Sequence, residues 1–149
     1  MILGSERGSV QNPFIRYAHE AGWTPLTRDD ALTMRGDESG VLFTDVLVEQ
    51  LQRLNPETVN RDRAEELARL IVRSLPTIKG NFDVWEHLRG LSKVFVPEED
   101  YERDVRFLDV DEPANNVFQV TDEFSFRPRP DAEAIRLTWC SSLTASRWL

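Results

Sequence analysis

Lysine runs out early in this 149-residue chain: none follows Lys93, so no carboxylate-x-lysine set is completed in any register over the last third. Cysteine is nearly absent too. A lone Cys140 cannot form an internal disulfide, and the two histidines, His19 and His87, lie far apart with no metal-ligand spacing around either, so no zinc is expected. There is no charge-free apolar run of the roughly eighteen residues a membrane span needs, and Met1 to Arg7 lacks the basic and apolar stretches of a signal peptide. No membrane contact and a cytoplasmic location are the expectation. Positive charge is also in deficit: the formal net charge is −8, which opposes tight non-specific binding of a phosphate backbone.

The composition that remains is that of a folded protein. With 40% apolar and 30% charged residues, the length is enough for one domain with a real core. Val10, Phe14, Tyr17, Ala18 and Ala21 recur at near-helical spacing, with Pro13 either kinking one helix or opening a second behind Asn12, until Gly22 stops it. Trp23 to Leu26 suits a short strand, and Arg28 to Gly40 a weak helix plus loop. Phe43, Val46, Leu47, Gln50, Leu51 and Leu54 form one helical face that ends at Asn55-Pro56, because proline removes a donor and restricts its predecessor. Ala64, Leu67, Ala68, Ile71, Val72 and Leu75 predict the clearest helix, capped by Asn60 or Asp62. A further helix near Asn81 is expected to bury Phe82, Trp85 and Leu88.

After Lys93 the period changes. Val94-Val96, Val105-Val110 and Val117-Phe126 are rich in β-branched and aromatic residues and partly alternate, which predicts strands. Helices first and strands last make an α+β, or mixed, domain whose sheet is incomplete where the chain stops. On that reading the Phe118, Val120, Phe124 and Phe126 faces lack a neighbour on one side, so association is expected through an exposed edge. The acidic run Pro97 to Glu102 reads as a solvated loop or helix start, with phosphate mimicry as the sharper alternative.

Three stretches, in order, resemble the N-terminal region of the restriction (R) subunit of type I restriction-modification enzymes. They are Ser5-Glu6-Arg7 with Val10-Gln11-Asn12-Pro13 and Gly22-Trp23; Leu51 to Pro56; and Asn115-Asn116-Val117-Phe118-Gln119-Val120-Thr121-Asp122-Glu123-Phe124. The resemblance covers roughly Ser5 to Arg136. It implies the opening of a PD-(D/E)XK nuclease domain, an incomplete restriction-endonuclease-like fold. It further implies that the intact subunit uses Mg²⁺ for cleavage and ATP for translocation, and works on DNA with methyltransferase and specificity subunits. In such sites an Asp and a Glu hold the ion while a Lys steadies the developing charge. Only Pro130-Asp131 offers a late Pro-Asp, and no lysine follows it, so no catalytic residue is assigned.

Candidate site residues carry plainer readings beside the functional ones. Glu6 stands as a candidate metal ligand, with a helix cap or solvated acid as the favoured plainer reading. Arg127, Arg129 and Arg136 form a basic cluster suited to DNA phosphate contacts in the intact subunit, or a frayed end here. His19 and His87 read as surface or half-buried side chains, and Trp23 and Trp85 as core rather than stacking platforms. The last thirteen residues differ from all before them: Leu137 to Leu149 contain no acid, the only cysteine and two of the four tryptophans. One choice of codons for this tail, read one base out of phase, spells DVVLFVNGIPLA, similar to the family's metal-binding strand, and Trp139 before Cys140 forces one of those valines. Residues 1–136 are therefore taken as the nuclease-domain portion and 137–149 as an out-of-frame tail left by a one-base deletion near Arg136. The product is expected to be inactive alone. A small acidic module that docks on the methyltransferase or specificity subunits is the alternative.

Overall fold

A computed structural model describes residues 7–74, 77–91, 93–96, 100–127 and 131–143; of these, 7, 96, 122, 123 and 136–143 are described by backbone only. The architecture is mixed α+β. A π-helical turn (Arg7–Gln11) runs into α1 (Asn12–Glu20), with Pro13 near its start, where a missing N–H costs nothing. β1 (Thr24–Leu26) follows, then α2 (Arg28–Arg35), α3 (Thr44–Leu54), α4 (Arg61–Arg73) and α5 (Ile78–Leu88). β2 (Lys93–Val96), β3 (Tyr101–Asp104), β4 (Phe118–Phe126) and β5 (Ile135–Leu143) complete the described elements.

Packing divides the chain into two units, one holding the described residues up to Phe43 with Val117–Leu143, the other Thr44–Asn116. In the first unit β4 is the middle strand of the order β1-β4-β5. It runs parallel to β1, with Thr24 to Leu26 opposite Gln119 to Thr121, and antiparallel to β5, with Phe118 opposite Leu143 and Phe126 opposite Ile135. α1 and α2 pack on β4, burying Val120 and Phe124, and Ala31, Leu42 and Phe43 are buried in the same unit. Thr27 opens α2 with a reciprocal cap, its Oγ1 accepting the Asp30 N–H at 3.1 Å while Asp30 accepts the Thr27 N–H.

The second unit is built on α3 against α4. Leu47, Val48 and Leu51 from one helix and Ala64, Leu67, Ala68 and Ile71 from the other are buried, as their spacing predicts. The Asn60 side chain caps α4 by accepting the Arg63 N–H at 2.9 Å. β2 and β3 form an antiparallel pair of four residues each.

Several expectations change. β4 is an interior strand rather than an edge, because β1, early in sequence, returns to one side of it and β5 covers the other. Tyr101 and Glu102, at the end of the expected acidic loop, lie in β3, while 97–99 fall outside the described residues. The amphipathic face of α1 is not core: the helix buries no residue, and Val10, Phe14 and Tyr17 are exposed. α5 turns the other way from its expected orientation, burying Val84 and Gly80 and leaving Phe82 and Trp85 53% and 47% exposed. Val72 of α4 is exposed as well, and Leu75 lies outside the described residues. Val105 to Val110 alternates in burial yet forms no strand.

Candidate functional site

The reason Val105 to Val110 forms no strand leads to the best-built polar site in the molecule. Val105, Phe107 and Asp109 are buried, so the N–H and C=O groups between them need partners. Two asparagine side chains provide these in place of a neighbouring strand. Asn55 Oδ1 accepts the Arg106 N–H at 2.8 Å, and its Nδ2 donates to the Arg106 carbonyl at 2.8 Å and to the Leu51 carbonyl at 2.8 Å. Asn116 does the same for Asp109: Oδ1 accepts its N–H at 2.9 Å and Nδ2 donates to its carbonyl at 2.8 Å. Each amide copies the donor-acceptor pair that a strand would present.

Around this, Asp109 closes its own loop. Oδ1 accepts the Glu112 N–H at 3.0 Å and Oδ2 accepts Asn115 Nδ2 at 2.9 Å. The Asn115 bond, then the Glu112 bond, hold its carboxyl below the usual range against a smaller opposing effect of burial. Arg53 donates to the Asn115 carbonyl. Two of the sequence landmarks, Leu51 to Pro56 and Asn115-Asn116, therefore meet in one network that holds backbone.

The first landmark ends differently. Gln11 is 6% exposed, and its Oε1 has no hydrogen-bond partner among the described residues. A buried unpaired acceptor costs about 1–3 kcal/mol.

In the first unit, the far end of β4 is held by α2 and the loop after it. Arg35 lies 3.8 Å over the Phe124 ring and donates to the Ser125 carbonyl through both terminal nitrogens at 3.1 Å, and to the carbonyls of Gly40 and Ala31. Gly40 is required there, since a Cβ would come within 2.5 Å of the Arg35 carbonyl oxygen. Asp37 ties the loop by accepting the Ser39 hydroxyl and the Ser39 and Gly40 N–H groups, which depress its pKa.

The residues singled out for DNA or metal fare unequally. Arg127 sits beyond β4, where its Nε pairs with Glu38 Oε2 at 2.9 Å, its Nη1 donates to the Ala132 carbonyl and its N–H donates to the Glu38 carbonyl. Arg136 lies in β5 opposite Ser125, and nothing of its side chain is described. Glu6 and Arg129 fall outside the described residues. No three His, Cys, Asp or Glu side chains come together as a metal set among the described residues.

Sequence reasoning missed one surface. An open groove of about 720 Å³ runs between Glu66, Arg69, Leu70 and Arg73 of α4 and Asp83 and His87 of α5. Lys79 occupies Asp83 at 2.8 Å, and His87, tilted on Phe107 at 5.7 Å, has its pKa lowered by burial against the pull of Asp83 and Glu86. Ile78, Phe82 and Trp85, at i, i+4 and i+7, face outward on α5, with Arg89 4.5 Å over the Trp85 ring.

With this geometry in place, comparison with known proteins identifies the family. Type I restriction enzyme R protein N terminus is the family whose description matches, over residues 4–137, and the chain belongs to it. No curated protein and no solved structure matches the chain. Among the described residues no helix is long and apolar enough to cross a membrane.

Proposed function

We propose that this chain is the framework of an R-protein nuclease region and does not itself cut DNA. The observation that carries the reading is in the sequence: the domain's central strand ends at Phe126, and no lysine follows Lys93, so the cation that steadies a cleaving phosphodiester has no donor after β4. Arg127 is held elsewhere, its Nε pairing with Glu38 and its Nη1 donating to the Ala132 carbonyl. On this reading Mg²⁺, ATP, DNA and the methyltransferase and specificity subunits belong to the working of a complete R protein in the cytoplasm. The acid-free tail after Arg136 is then the product of a one-base deletion. Two chains test this side by side on supercoiled plasmid with Mg²⁺: the present one, and one encoded after restoring a single base at the Arg136 codon. Nicking by the present chain contradicts the proposal; nicking by the restored chain alone supports it.

A second reading is favoured by the outward stripe on α5. Exposed Trp and Arg stacked on one another are typical anchors of protein interfaces, and an acidic chain suits a protein partner better than DNA. The chain would then be a docking module for the methyltransferase or specificity subunits. Co-purification with them that Trp85→Ala abolishes supports this, and its absence removes it.

A further inference from the structure

We propose that the outward stripe of α5 packs on α5 of a second copy, as a two-fold antiparallel helix pair with reciprocal Lys79–Glu86 contacts. Ile78, Phe82, Trp85 and Arg89, which directly follows the helix, are spaced by four, three and four residues, the spacing of a helix-helix seam. At 3.6 residues per turn this seam lies opposite Gly80 and Val84, the residues α5 buries, so it points away from the body of its own unit. Ile78 is 92% exposed, and the Phe82 and Trp85 rings, tilted on one another at 5.5 Å, stand half out of the surface.

Register selects the occupant. In an antiparallel pair with Phe82 opposite Trp85 of the copy, Ile78 meets the stem of Arg89, and the apolar residues of each helix cover those of the other. Lys79 and Glu86 border the seam on one side, seven residues apart. Antiparallel helices bring like-numbered flanks together, so the register that matches the rings also sets each Lys79 beside Glu86 of the copy. Lys79 is held in place by Asp83 of its own chain at 2.8 Å, and an ammonium has three N–H donors, enough for both carboxylates. Asn81 and Leu88 border the other side and bring no charge. A parallel pair would instead set Arg89 against Arg89. The contact is isologous and closes at two; three helical turns make a small interface, so the pair is reversible. The inference uses the stripe of the second reading but gives it a different occupant, and it is tested on the chain alone.

The test is sedimentation velocity of the full chain over a concentration series, where a reversible monomer-dimer equilibrium is expected. Trp85→Ala should weaken it about tenfold or more. Lys79→Glu and Glu86→Lys, each alone, bring like charges together twice across the pair and should each weaken it about tenfold. An equimolar mixture of these two variants should dimerise again, because every cross-pair is then opposite in sign. Circular dichroism of each variant shows that it is folded, and the mixture separates a broken contact from a broken fold. A monomer at every concentration overturns the proposal, as does assembly beyond a dimer. A dimer that neither charge reversal weakens also overturns it, as do folded single variants whose mixture stays monomeric. A monomeric free chain that co-purifies with methyltransferase or specificity subunits through Trp85 gives the stripe to those subunits, which overturns this inference and leaves the second reading standing.

Discussion

β4 and the Val105–Val110 run both carry buried residues whose backbone needs partners, and they solve that problem in opposite ways. β4 spreads its hydrogen bonds over two neighbouring strands, so no single side chain carries them. The other segment relies on two asparagine amides, each serving both polar groups of one residue. Period-two burial in Val105–Val110 thus reports which side chains face the core, and leaves open what bonds the backbone. The ladder should therefore tolerate substitution better than the clamp.

The largest expected effect follows from that difference. Asn55→Ala strands the part-buried N–H and C=O of Arg106 and removes a bond to the buried Leu51 carbonyl, and should cost about 2–3 kcal/mol in urea unfolding. Asn55→Asp keeps the acceptor and loses the donor, and should fall between the two. Substitutions of comparable size in β4 at positions whose side chains bond no backbone should cost less than half as much; equal losses would erase the contrast.

Next is Arg35→Ala, which removes bonds to three carbonyls besides the ring contact at Phe124, for about 2 kcal/mol. This arginine is the first unit's nearest counterpart to the asparagine clamp. Arg35→Lys should recover only part of the loss, since lysine lacks the planar fork.

The smallest effect is in pH. Asp109 has a folded pKa below its unfolded value near about 4, so its contribution is present above that value and lost as pH falls through and below it. His87 acts in the same direction at higher pH: its folded pKa lies below its unfolded value, so stability should decline as pH falls below about 6.5. Asp109→Asn should flatten the acid limb of a stability-pH profile, and His87→Gln the limb above it. Unchanged profiles would mean these groups are solvated as in the unfolded chain.

How much of this the sequence carried depended on whether the signal was local. α3 and α4 were legible because their apolar residues repeat at helical spacing and Asn60 caps one of them. α5 misled because Phe82 and Trp85 are large and apolar, while the residues it buries are Gly80 and Val84, and a hydrophobic face seen alone does not say whether anything covers it. β4's partners were hidden by sequence distance: its parallel neighbour β1 lies more than ninety residues earlier. The landmarks Leu51 to Pro56 and Asn115-Asn116 signalled the family, and their job of holding backbone, Asn55 across 51 positions and Asn116 across 7, could not be seen without coordinates.

The central claim, that these landmarks are architectural, is tested most directly by residue-resolved hydrogen exchange at the Arg106 and Asp109 amides. Both should be protected in the native chain, with Asn55→Ala releasing Arg106 and Asn116→Ala releasing Asp109 ahead of β4. Fast exchange at both amides in the unsubstituted protein would contradict it.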